Sequence, residues 1–233
     1  MQLALLDADN PQFPDPRTAI REPDGLLAVG GNLSPSTLVS AYSQGIFPWY
    51  QDDDPILWWS PSERCLLAPV DLHISKSLRK CLKKHQYQIT TDRDFGAVIR
   101  ACANTRATEG TWISDEMISA FQQLHEQGIA HSVEVWDQHR LVGGIYGVAM
   151  GTVFSGESMF SAVTNGSKIA MAYLCRWLDS SGFNLLDCQI ENNHLLSLGA
   201  QVVHREWFLT QLETTRSTRL AWPQAAGIDW SGD

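Results

Sequence analysis

The sequence predicts an α+β fold in two unequal parts, and three observations carry that expectation. Residues 1–62 are turn-rich and aromatic, whereas residues 63–233 alternate helical and strand-like stretches. Within the larger part, three successive strand-like runs are joined only by short polar turns, which reads as an antiparallel meander. A helix, a strand, a short helix and a last strand follow the meander. The expected architecture is a small N-terminal domain, 1–62, beside a larger domain, 63–233.

In the first part, Phe13-Pro14-Asp15-Pro16 and Glu22-Pro23-Asp24-Gly25 are turn signals. Ser34 as N-cap and Pro35 in the first turn predict a helix over 35–44 that stops at Gly45. Trp49, Trp58 and Trp59 crowd the following stretch around an acidic loop at 52–54. They read as aromatic packing within or between the parts, or, for Trp49 beside Pro48, as a face for stacking a base. In the second part, 65–69 reads as a strand, 76–84 as a basic helix, and 95–102 and 114–126 as helices separated by a loop bearing an exposed Trp112. The meander strands fall at 132–136, 141–149 and 152–160. A helix at 167–179, a strand at Leu185, a short helix at 193–198 and a strand opening at Gln201 complete the pattern. The tail after Trp222 is expected to be loose or to pack as coil.

An apolar content of 44% and a charged content of 18% over 233 residues suit a globular chain with a sizeable core. No apolar run approaches the roughly 20 residues of a membrane span, and the opening residues lack the basic, apolar design of a signal peptide. Five scattered cysteines without a Cys-x-x-Cys pair, and seven histidines without ligand spacing, predict a reduced, cytoplasmic, metal-free protein. The net charge of −9 opposes indiscriminate nucleic-acid binding. Its basic residues are unevenly spread, however: Lys76, Arg79, Lys80, Lys83 and Lys84 share one helical face. That face is either a solvated surface or a guide for a polyanion.

Two carboxylates sit in apolar, strand-like surroundings, where an unpartnered charge is costly. Glu157 lies within 152–161, and Asp187 lies at the centre of the run Leu185-Leu186-Asp187-Cys188-Gln189. Alternation along a strand places Asp187 and Gln189 on one face. Facing acidic groups suggest a site; a turn cap at Asp187 with a solvated Gln189 is the structural alternative.

The element order matches that of GNAT-like N-acetyltransferases. Acetyl-CoA-dependent members carry a Gly-rich phosphate turn where this chain reads Ser161-Ala162-Val163-Thr164-Asn165-Gly166-Ser167-Lys168, with a single glycine. A backbone cradle for pyrophosphate is not expected there, which points to a donor other than acetyl-CoA. Residues 21–33, Gly45-Ile46-Phe47-Pro48-Trp49, Trp58-Trp59-Ser60-Pro61, Glu109-Gly110-Thr111-Trp112-Ile113, 154–161 and Leu186-Asp187-Cys188-Gln189 resemble the motifs of bacterial leucyl/phenylalanyl-tRNA–protein transferases, in register from about Glu22 to Arg205.

That resemblance implies transfer of Leu or Phe, and less readily Met, from aminoacyl-tRNA to proteins with N-terminal Arg or Lys. The products feed an N-degron route. It implies no metal, no nucleotide cofactor and a GNAT-like C-terminal domain; nothing demands more than a monomer. By the same resemblance Asp187, hydrogen-bonded to Gln189, would assist the amine through the Gln189 carbonyl, while Glu157, with Asp187 nearby, would receive the acceptor's cation. Ile145, Phe154, Met171, Leu174 and Leu186 would wall the donor side-chain pocket. Family members can carry Met at the position of Ile145 and Phe at that of Leu174. Trp49 and Trp112 would stack the terminal adenosine. Asn192 would hydrogen-bond a substrate or cap the helix after it, and the face from Lys76 to Lys84 would meet the acceptor stem. The competing readings are an acyl-CoA-dependent N-acyltransferase, a tRNA-dependent cell-wall peptide ligase, usually built from two such units, and a non-enzymatic tRNA-binding module, which leaves Glu157, Asp187 and Gln189 without purpose.

Overall fold

The computed structural model describes residues 3–51, 54–105, 113–225, 227–228 and 230. The expected loop site at Trp112 lies outside the described residues. The N-terminal stretch forms β1 (Ala4–Leu6), β2 (Leu26–Gly30), α1 (Pro35–Tyr42), β3 (Phe47–Pro48) and β4 (Leu57–Trp59). Its strands make a four-stranded sheet ordered β1-β2-β4-β3. Ser34 caps α1 as expected, its side chain accepting from the Thr37 amide. The sheet itself was not legible in the sequence, because strands of two to five residues show too little alternation.

The second part begins with β5 (Glu63–Leu67), α2 (Lys76–Leu82), β6 (Gln88–Thr91), α3 (Phe95–Thr105) and α4 (Asp115–Glu126). The meander follows as β7 (Ala130–Asp137), β8 (Arg140–Met150) and β9 (Val153–Ser161). Then come α5 (Gly166–Ser180), β10 (Leu185–Asp187), α6 (Asn193–Ser197), β11 (Gln201–His204) and α7 (Arg205–Thr215). Seven strands form one sheet in the order β11-β5-β10-β9-β8-β7-β6. The meander is antiparallel, and α5 then crosses over so that β10 pairs parallel to β9. This is the GNAT-like order expected from the sequence.

The sheet is covered on both faces, and the alternation along β8 assigns its residues. Tyr146 and Val148 share a cluster with α3, α4 and the N-terminal part through Phe95, Phe121, Leu38, Ile46 and Trp58. Ile145 turns the other way, toward Met171, Leu174 and Leu178 of α5. The N-terminal sheet therefore buries its apolar residues against the larger part, in a shared cluster.

In the larger part, β6 and α7 escaped the sequence reading for want of end signals. β6 is short and only partly buried. α7 follows β11 with no turn, and its N-cap position, His204, makes no side-chain capping bond. It is held instead by Phe208, Leu209 and Leu212 packing on Leu66 and Val153. The tail packs as coil: Trp222 stacks on His131 and Phe154, and the buried Trp230 meets Tyr173 edge-on.

Candidate active site

The parting of β9 and β10 makes the site. Their parallel pairing runs Leu185↔Val153, Leu186↔Phe154 and Asp187↔Ser155, and ends there. Beyond it, β9 carries a bulge: Tyr146 of β8 pairs Ser158 while Gly147 pairs Gly156, leaving Glu157 as the extra residue. A Cβ at Gly147 would lie 2.1 Å from the Ser155 carbonyl oxygen, so only glycine fits opposite this distortion. On the other side Gln189 turns the chain at φ +62°, an uncommon conformation for a residue with a side chain. A crevice at the carboxyl end of parted parallel strands is the usual ligand position in open sheets of this kind.

The resulting cavity has a volume of about 290 Å³. Phe47, Pro48 and Trp49 close it from the N-terminal sheet, and Gly156, Glu157, Ser158 and Met159 from β9. Ile145, Met171 and Leu186 supply apolar wall, and Cys188, Gln189, Ile190, Glu191, Asn192 and Leu195 form the remaining side. Such a slot, mostly apolar with a few convergent polar groups, suits one small side chain and a reacting centre.

Glu157 is buried, and its Oε1 accepts a 2.7 Å hydrogen bond from Gln189 Nε2. Burial pushes its carboxyl up to about 8, and the Asp187 charge adds to this. The nearby Tyr42 hydroxyl, the Gln189 amide and Arg64 draw it partly back. The Tyr42 hydroxyl is itself buried, and burial followed by the Glu157 charge pushes it well above the usual tyrosine range.

Asp187 has a different environment. It is completely buried and accepts four hydrogen bonds. Oδ1 takes Arg64 Nε at 2.8 Å and the Gln189 amide at 2.9 Å; Oδ2 takes Arg64 Nη2 at 2.6 Å and Ser155 Oγ at 3.2 Å. The strands explain the arrangement. Leu66 of β5 lies opposite Asp187, and Arg64, two residues earlier, shares its face. The Arg64 guanidinium also donates to the Gly45 carbonyl at 3.2 Å and lies between the rings of Phe47 and Phe208, 4.8 and 4.7 Å away.

These positions correct part of the sequence reading. Asp187 and Gln189 do not share a strand face, because β10 ends at Asp187 and the left-handed turn at Gln189 breaks the alternation. The Gln189 side chain bonds Glu157, not Asp187, which takes only its backbone amide. Of the expected pocket wall, Ile145, Met171 and Leu186 line the cavity, while Phe154 and Leu174 do not. Phe154 packs on Trp222, and Leu174 lies one helical turn from Met171 within the core.

Asn192 lines the cavity and also caps α6, its Oδ1 accepting from the Leu195 amide at 2.9 Å. Trp49 is 45% exposed at the mouth, set edge-on to Trp59. Lys76, Lys80, Lys83 and Lys84 are exposed on or just after α2, Arg79 is half-buried, and none of the five lines the cavity. Arg64, Tyr42, Phe47 and Met159 were missed. A signal existed for Arg64: it is a charge in the apolar run Arg64-Cys65-Leu66-Leu67, the same anomaly that drew attention to Glu157 and Asp187.

Residues 66–213 match the family described as leucyl/phenylalanyl-tRNA protein transferase, and residues 31–62 match its N-terminal domain. The chain is 53% identical to the leucyl/phenylalanyl-tRNA–protein transferase of Photobacterium profundum, over 92% of this chain and 91% of that one. It is 56% identical to the protein of the same name from Nitrosospira multiformis, over 86% and 87% of the two chains. Among solved structures, a GCN5-related N-acetyltransferase from Kribbella flavida is similar over 70% of this chain and 60% of its own, at 14% identity and a TM-score of 0.39. No helix among the described residues is long and apolar enough to cross a membrane. With the matched segments taking in the parted strands, Glu157 and Asp187, the chain belongs to the leucyl/phenylalanyl-tRNA protein transferase family.

Proposed function

We propose that this chain transfers a leucyl or phenylalanyl group from its tRNA to the α-amine of proteins that begin with Arg or Lys, working in the cytoplasm as a monomer. The observation that carries the reading is Glu157. It is a buried carboxylate, with no cation among its hydrogen-bond partners in the described residues, bonded to Gln189 and set in the wall of an apolar cavity. A buried carboxylate is costly unless a cation arrives, and an N-terminal Arg or Lys brings one.

In this reading Ile145, Met159, Met171 and Leu186 hold the donor's Leu or Phe side chain. The two methionines adapt the wall to branched or aromatic shapes. Trp49 stacks the terminal adenosine, together with Trp112, and the α2 face meets the acceptor stem. Gln189 orients the amine; an amide is too weak a base to do more. The amine nitrogen attacks the ester carbonyl, the bond to the ribose oxygen breaks, and the proton lost by nitrogen ends on that oxygen. A free α-amine has a pKa near 8, so part of it is already neutral at pH 7 and orientation is the main need. The ester is activated, so no ATP is consumed. The division at residue 62 fits this chemistry, since Phe47 and Trp49 close a cavity built by the larger part.

The test uses Phe-tRNA with labelled Phe and paired peptides beginning with Arg or Ala, without ATP or CoA. Label in the Arg peptide alone is expected. No incorporation by folded protein with intact charged tRNA overturns the reading.

A further inference from the structure

We infer that Arg64 is a positioning residue for the acceptor amine, acting through Asp187 and Gln189. The inference rests on the transferase reading above and deepens it.

The argument begins with lone pairs. A carboxylate offers about four acceptor positions. At Asp187 all four are occupied, two by the Arg64 fork, one by Ser155 Oγ and one by the Gln189 amide. The residue is completely buried and does not line the cavity. An incoming amine has neither a path to it nor a free lone pair to meet. A general base must come within hydrogen-bond reach of the proton it removes, directly or through one water. Asp187 does not.

What Asp187 does touch is the backbone of Gln189. Its Oδ1 holds the Gln189 amide while the chain passes through the left-handed conformation. That conformation swings the Gln189 side chain off the strand and onto Glu157. An uncommon conformation persists only where its surroundings over-determine it. The surroundings here are the bidentate pair, which fixes the Asp187 carboxylate in plane and direction. Arg64 is fixed in turn by the Gly45 carbonyl from the end of α1, by Phe47 beside the cavity and by Phe208 of α7. It thereby ties the N-terminal part, the sheet and the last helix to the one side chain that aims at the amine. A lysine would present a point charge without the fork and could not stack between two rings in the same way.

The experiment compares wild type, Asp187→Asn, the double variant Arg64→Gln with Asp187→Asn, and Arg64→Lys. Phe transfer to the Arg peptide is followed as kcat, KM and a pH profile, with thermal melts to establish folding. Asp187→Asn leaves the Arg64 charge buried and unpaired, which is strongly disruptive. The double variant removes both charges and keeps an acceptor for the Gln189 amide. We expect it to recover at least about tenfold over Asp187→Asn and to keep the wild-type pH profile. A folded double variant that stays down by the roughly 10²–10⁴-fold typical of a lost general base overturns the inference.

Arg64→Lys supplies the second test and needs no refolding of a charge-free core. It preserves the carboxylate and loosens its hold on Gln189. The expected result is a raised KM for the acceptor, by about tenfold on the scale of one lost charge-assisted hydrogen bond, with the pH profile unmoved. An unchanged KM in folded Arg64→Lys overturns the inference. Wild type that transfers nothing overturns the transferase reading, and this inference with it. Active wild type with an unrescued double variant overturns the inference alone.

Discussion

Glu157 and Asp187 are both carboxylates on neighbouring parallel strands, both buried, and their surroundings are opposite. Asp187 ends β10 with Arg64 on one side and Ser155 on the other, every acceptor position filled from within the chain. Glu157 is the unpaired residue of the β9 bulge, with an amide and a tyrosine as neighbours and the cavity in front of it. The difference teaches that a carboxylate's chemical availability depends on what faces it across the sheet. One is built into the fold as half of an ion pair; the other is left to be completed by a ligand.

Removing each partner should separate the two most sharply. Arg64→Met leaves Asp187 charged, buried and unpaired, and should cost about 3–5 kcal/mol of stability at neutral pH. Chemical denaturation monitored by tryptophan fluorescence checks this. A loss under 1 kcal/mol would erase the contrast. Glu157→Gln should act in the opposite sense, being neutral or stabilising, because it removes a group whose ionised form burial disfavours.

The same contrast predicts a pH dependence with a defined sign. Burial raises the Glu157 carboxyl from the ordinary value of 4.5 to about 8. Between those values the folded chain holds a proton that the unfolded chain has released. Stability from this group is therefore complete below the unfolded value and is lost as pH rises through about 8. Wild type should show a melting temperature falling from pH 5 to pH 8.5, with a shallower fall in Glu157→Gln. Parallel curves would mean that Glu157 titrates normally.

On the binding side, Glu157→Gln should weaken the Arg-peptide by about 2–3 kcal/mol in KM, as expected for one partner of a desolvated charge pair. Binding of Phe-tRNA should change little, which filter binding would show. The smallest expected effect is Trp49→Ala. Loss of a stacking face should weaken the aminoacyl-adenosine end by about 1–3 kcal/mol, while the melting temperature stays close to wild type because the ring is half exposed. An equal effect on an Arg-peptide competitor would instead place Trp49 on the acceptor side.

Much of this was legible in the sequence. Polar turns between apolar runs fix the meander, Ser34 and Ser114 mark helix starts, and both carboxylates stand out as charges in apolar strands. Alternation also predicted that Asp187 and Gln189 share a face, and there it failed. Alternation holds only while a strand continues, and the left-handed turn at Gln189 ends it. The i, i+3 spacing correctly put Met171 and Leu174 on the packed side of α5, yet only Met171 reaches the cavity. The spacing specifies a face and says nothing of depth.

The sequence by itself determined the α+β class, the order of elements, the family motifs and the costly placement of Glu157 and Asp187 in apolar strands, because these depend on local periodicity and residue chemistry. The tertiary structure decided which charge is which. Arg64 lies 123 residues before Asp187 in the chain, and only the pairing of β5 with β10 brings its fork within 2.6 Å of that carboxylate. The bulge that frees Glu157 is likewise a mismatch between two strands. Partners so distant in sequence leave no local pattern, so the division of labour between the two acids is a property of the assembled sheet.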